Sequence, residues 1–190
     1  MLTAYIDESM RRRRGEASCV YVLAAVLVPD DAESTVRATM EGLRHGRSRV
    51  VHWRKERPER RTLIASAIAG LPVTGLVAVC LHDAEVRSER ARRRCLLRLL
   101  DELARRDVER VIFETRHEQD AADRAVITSL RKAKVVTDAM SLTWEDPGAW
   151  FAGLWVADCV AGAVSWWLDG HGAHWSLLEE QVTLVDVEAD

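Results

Sequence analysis

Leu2-Thr3-Ala4-Tyr5-Ile6-Asp7-Glu8-Ser9 opens as a strand and closes on two adjacent carboxylates. Tyr5 and Ile6 favour extended backbone, and the polar residues after them end the apolar run. A strand that carries Asp7 and Glu8 into a fold must neutralise them with a cation or leave them in water at its rim. Two readings follow. Asp7 holds a divalent metal on which later carboxylates converge, or the strand leads into an acidic turn.

Working outward, Met10-Arg11-Arg12-Arg13-Arg14-Gly15-Glu16-Ala17 reads as a hairpin loop. Ser18 to Val28 (SCVYVLAAVLV) is β-branched and apolar enough for a central strand buried on both faces, and Pro29 stops it. The two strands form an antiparallel hairpin whose tip carries Arg11, Arg12, Arg13 and Arg14. That tip is either a phosphate-gripping loop or a solvated turn.

Further along, Asp30-Asp31 can cap a helix over 32–43, and Pro58 suits the first turn of a helix over 58–69. Between them lies His52, a candidate proton carrier, followed by Trp53 and a basic loop. Strands are expected over 73–82, 108–115 and, less regularly, 135–142, with a last one near 182–187. Amphipathic helices are expected over 85–106 and 120–133. The arginines of 87–94 read most simply as a solvated helix face. Glu114 stands at the end of the fourth strand, and Trp144 to Gly148 reads as a turn.

Residues 149–168 (AWFAGLWVADCVAGAVSWWL) form a helix that is apolar nearly all round, and therefore buried. Asp158 is its lone ionisable group. Its i±3 and i±4 neighbours are Leu154, Trp155, Ala161 and Gly162, none of which offers a cation. Its partner must come from another element. Asp158 is either a metal ligand or a structural group that caps a backbone or accepts from a tryptophan N–H. Carboxylates on a first strand, a fourth strand and a late helix suit Mg²⁺ or Mn²⁺ rather than zinc. Two such ions about 4 Å apart can activate water and stabilise a leaving oxygen in phosphodiester cleavage.

The bulk composition agrees with a globular chain. Of 190 residues, 48% are hydrophobic and 30% charged, which excludes a disordered polyelectrolyte. No apolar run is long enough to span a bilayer, and no basic-then-apolar leader is evident, so no membrane association is expected. Cys19, Cys80, Cys95 and Cys159 lie far apart without metal-site spacing, which fits a reducing, cytoplasmic setting. Cys95 lies among helix arginines, and the other three sit in apolar stretches as small core residues. All 27 Lys and Arg lie within residues 1–134, whereas 135–190 hold ten Asp and Glu and no Lys or Arg. A basic body attracts polyanions. The preference for Arg over Lys can equally reflect a GC-rich genome, so it carries no argument for nucleic acid.

YIDES followed by a long apolar strand, together with LWVADCVAGAVSWW near the end, resembles the opening and closing motifs of the domain-of-unknown-function family 3800. The resemblance covers most of the chain. The glycine that usually follows D-E-S in that family is Met10 here. The resemblance implies a ribonuclease H-like domain over 1–190: an α/β fold with a mixed sheet of about five strands and helices on both faces. It also implies similarity to metal-dependent nucleases, with Asp7 as first-strand ligand, Glu114 as middle ligand and Asp158 as helix ligand. Glu8 is expected as an extra ligand or supporting group, and His52 as a proton carrier near a histidine-containing stretch.

Two functions follow. One is a nuclease using Mg²⁺ or Mn²⁺ at Asp7, Glu8, Glu114 and Asp158, with nucleic acid bound by Arg11, Arg12, Arg13 and Arg14. The other is a non-catalytic binding or assembly module of the same fold. Trp150, Trp155, Trp166, Trp167 and Trp175 would then form the surface of a homodimer.

Overall fold

The computed structural model describes residues 1–12, 17–83 and 88–188. The opening strand, β1, runs Leu2–Arg12. β2, Ser18–Pro29, pairs with it antiparallel, with Asp7 opposite Ala24. β1 thus extends two arginines further than the loop reading allowed. Residues 20–28 of β2 are all buried, as a central strand covered on both faces must be.

Next come α1 (Glu33–Gly42), α2 (Pro58–Ala69), β3 (Thr74–Asp83), α3 (Ser88–Ala104), β4 (Arg110–Glu114) and α4 (Asp120–Lys132). The chain closes with β5 (Ser141–Glu145), α5 (Ala152–Leu168) and β6 (Val182–Val187). The six strands form one mixed sheet in the order β5-β4-β1-β2-β3-β6. β1, β2 and β3 are antiparallel neighbours, whereas β4 runs parallel to β1, β5 to β4 and β6 to β3. Helices cover both faces, consistent with a ribonuclease H-like type of fold. β6 extends the expected five-strand sheet at its β3 edge.

β5 differs from the expected 135–142. Val135 and Val136 close the end of α4 through their N–H groups to the Leu130 carbonyl, after Lys134 turns with φ 57°. The strand begins only at Ser141, and Trp144, expected in a turn, lies within it and stacks on Phe113 with ring centroids 5.2 Å apart.

Strand alternation divides the core into two layers. Tyr5, Val22, Ala24 and Val26 face α1, α2 and α5. Ala4, Ile6, Leu23 and Ala25 face α3 and α4. α5 lies close against the sheet because it has glycines where side chains cross it. A Cβ at Gly153 would overlap the Tyr5 ring, and one at Gly162 would overlap the Trp53 ring. Cys95 is fully buried in the α3 layer, and Cys19 is the partly exposed cysteine. Among the described residues no helix is long and apolar enough to cross a membrane.

Candidate metal centre

Asp7 follows Ile6 on β1, so alternation turns it to the α5 face with Tyr5. Ile6 pairs with Phe113 in the parallel ladder, so the next residues, Asp7 and Glu114, leave neighbouring strands side by side. β4 ends at Glu114. From above, α5 lowers Asp158 toward the same region. Three elements distant in sequence thus bring together the three carboxylates that the sequence singled out.

Their electrostatics follow from that convergence. Burial pushes the Asp7 carboxyl well above the usual range, and the charges of Asp158, Glu114 and Glu8 push it the same way. The Glu8 N–H, which donates to Asp7 Oδ1 at 2.7 Å, opposes this. Glu114 is pushed up to about 7 by burial, then by Asp158 and Glu8. Among the described residues, no Lys or Arg forms an ion pair with Asp7, Glu114 or Asp158.

Asp158 shows the structural one of its two sequence readings. Its Oδ2 accepts from His52 Nδ1 at 2.8 Å and from the Trp53 backbone N–H at 2.7 Å. It therefore caps the short 3₁₀ turn Trp53–Lys55, and neither bond uses Oδ1. The bond to Asp158 raises the His52 pKa, against the effect of its partial burial. Nδ1 is thereby committed, and Nε2 is the ring nitrogen left for proton transfer.

Glu8 is not placed with these three. One residue beyond Asp7, it belongs to the opposite face, where its Oε2 accepts from Arg92 Nη1 at 2.7 Å. Arg116 Nε lies 3.7 Å from its other oxygen. Arg92 also holds Asp123 at 2.6 Å and Tyr21 Oη at 3.1 Å. A carboxylate already held by two guanidiniums has little left for a cation, so Glu8 serves the centre through its backbone N–H.

Arg11 and Arg12 close β1. The Arg11 guanidinium lies 4.7 Å from the Trp166 ring centroid and 3.5 Å from the Asp169 carboxylate, while Arg12 is exposed. The call on Arg13 and Arg14 falls outside the described residues. The five C-terminal tryptophans differ in exposure. Trp155 and Trp175 are buried, Trp166 and Trp167 are partly buried, and Trp150 is exposed.

Sequence reasoning missed Asp146, whose charge also raises Glu114. The Asp-Pro after a strand was its signal, hidden when β5 was placed too early. It also missed Arg61, which sits on the apolar side of α2 three residues before Ile64, and is buried.

The donor types are those of a hard divalent cation: carboxylate oxygens without a Lys or Arg partner, and an Asp158 Oδ1 that no hydrogen bond occupies among the described residues. Among the described residues, however, no group of three or more His, Cys, Asp or Glu is already closed around one point. A cation would have to draw these carboxylates inward. In comparison with known proteins, the chain matches no family model and no curated protein matches it.

Proposed function

We propose that the chain is a metal-dependent phosphodiesterase that cleaves nucleic acid at the Asp7–Glu114–Asp158 centre, using Mg²⁺ or Mn²⁺. The observation that carries this reading is the meeting of three carboxylates from β1, β4 and α5 that, among the described residues, no Lys or Arg side chain pairs with and only the His52 side chain touches. Carboxylates are brought together at such cost where a bound cation or a shared proton compensates. The resemblance to family 3800 and the mixed sheet support the same reading, and the reducing cytoplasm inferred from the cysteines belongs to it.

A divalent cation held here supplies Lewis acidity to the phosphate oxygens and lowers the pKa of attacking water. Asp7 and Glu114 would hold it from the sheet and Asp158 from the helix. Asp158 Oδ2 orients His52 so that Nε2 can take the proton from water as its oxygen attacks phosphorus, or return one to the leaving oxygen as the P–O bond breaks.

The test is cleavage of end-labelled RNA and DNA strands with Mg²⁺, Mn²⁺ or EDTA. Metal-dependent cleavage by the wild type should vanish in Asp158→Ala and in the isosteric Asp158→Asn, with folding confirmed by circular dichroism. Cleavage that persists in folded Asp158→Asn, or that is unaffected by EDTA, contradicts the reading.

A further inference from the structure

Asp158 is the shared wall of two cavities. One, of about 210 Å³, is lined by His52, Lys55, Glu114 and Trp155. The other, of about 360 Å³, is lined by Arg11, Arg12, Arg54, Arg61, Trp53 and Trp166. The first belongs to the acidic centre. The second is lined by four arginines and one carboxylate; Asp158 Oδ2 is already engaged, and Arg11, of the four, also reaches the Asp169 carboxylate, at 3.5 Å.

Arg61 and Trp53 are the buried parts of this second cleft. Arg61 is 6% exposed. Its Nε donates to the Trp53 carbonyl at 3.0 Å and its Nη2 to the Arg54 carbonyl at 3.3 Å. Its guanidinium carbon lies 4.1 Å from the Trp166 ring centroid, and that of Arg11 lies 4.7 Å from the same centroid. Two like charges therefore share one indole. Among the described residues, Arg11 Nη1 and Trp53 Nε1 are both buried N–H donors without an acceptor. Burial and the charge of Arg11 lower the Arg61 pKa, so an anion between them would relieve repulsion as well as satisfy donors.

We propose that this cleft holds a phosphate group of a nucleic-acid strand, at a nucleotide adjoining the phosphodiester that lies against Asp7, Glu114 and Asp158. The identity of the strand rests on the nuclease reading; the anion site rests on the cleft itself. Arginine forks match the paired oxygens of a phosphate. Trp166 is engaged by guanidiniums, so it orients arginines rather than stacking a base. The grip is therefore on the backbone and independent of base sequence. The phosphate can be an internal one or a strand terminus.

The experiment measures binding, not cleavage. Fluorescence anisotropy of labelled single-stranded oligonucleotides in EDTA compares the wild type with Arg12→Ala/Arg54→Ala and with Arg11→Ala. Each strand is supplied with and without a terminal phosphate. Arg12 and Arg54 are exposed, so their double variant keeps the fold. It should weaken binding about tenfold near 0.1 M salt and flatten the log–log salt slope by about 0.7, the value for one phosphate of a single strand. Equal losses for both kinds of strand identify an internal phosphate, and losses confined to phosphorylated strands identify a terminus. Unchanged affinity and slope in both variants overturn the proposal. Mn²⁺ thermal shifts on the same proteins separate the two claims. If the wild type shows no shift yet its binding depends on these arginines, the nuclease reading fails and the anion site stands.

Discussion

Asp7 and Glu8 are neighbours on one strand, yet the two faces of the sheet treat them in opposite ways. On the α3–α4 face, Glu8 meets Arg92 and Arg116, and Arg92 goes on to hold Asp123. Charge there is balanced by side chains. On the α5 face, Asp7 meets Glu114 and Asp158, and the charges add instead of cancelling. Proteins rarely leave buried carboxylates facing one another unless something from outside completes the set. One face is finished by folding, and we propose that the other is finished by a ligand.

The largest effect belongs to the finished face. Arg92→Ala removes the buried guanidinium shared by Glu8 and Asp123, leaving them Arg116 alone, and should cost about 3 kcal/mol in urea unfolding. A loss below about 1 kcal/mol would mean that the network is solvated, and the contrast between the faces would break.

Next comes the helix that carries Asp158. Gly162→Ala sets a methyl into the Trp53 ring and should cost about 1–3 kcal/mol. Because the Trp53 N–H holds Asp158 Oδ2, the substitution should also weaken cation binding. Gly42→Ala, where a Cβ meets nothing within 4 Å, should be neutral or mildly stabilising.

A pH series sharpens the contrast. Glu114 is pushed up from 4.5 to about 7 in the folded state. Between those values the folded protein keeps a proton that the unfolded chain has released. Without divalent cations, stability should therefore fall as pH rises from about 4.5 to about 7. His52, also raised, adds stability at low pH that is lost as pH climbs through its folded value. Glu114→Gln should flatten the fall, and saturating Mn²⁺ should reverse it, because binding expels the proton. A slope unchanged by Glu114→Gln would show that these carboxylates do not interact.

Much of this arrangement was legible in the chain. β2 reads as a central strand because it is apolar without alternation, and Asp158 stands out because nothing within one turn of its helix can pair with it. The opposite fates of Asp7 and Glu8 were harder to see. Alternation alone separates their faces, but Arg92 lies 84 residues away, in a basic run that reads as solvated. Arg61 was hidden for a similar reason. Its burial depends on Trp53 and Trp166, which only the fold brings together. The β5 error came from Val135 and Val136, which look like strand residues but cap α4.

The most direct test of the difference between the faces is thermal unfolding near pH 7.5 in EDTA and in millimolar Mn²⁺, for wild type, Asp7→Asn and Glu8→Gln. At a hundredfold excess over Kd the cation adds about 2.7 kcal/mol, which is a shift of several degrees. The wild type should gain this shift and Asp7→Asn should lose it. Glu8→Gln should unfold earlier in both conditions yet keep the shift. No Mn²⁺ shift in the wild type, or equal loss of the shift in the two variants, would contradict the account.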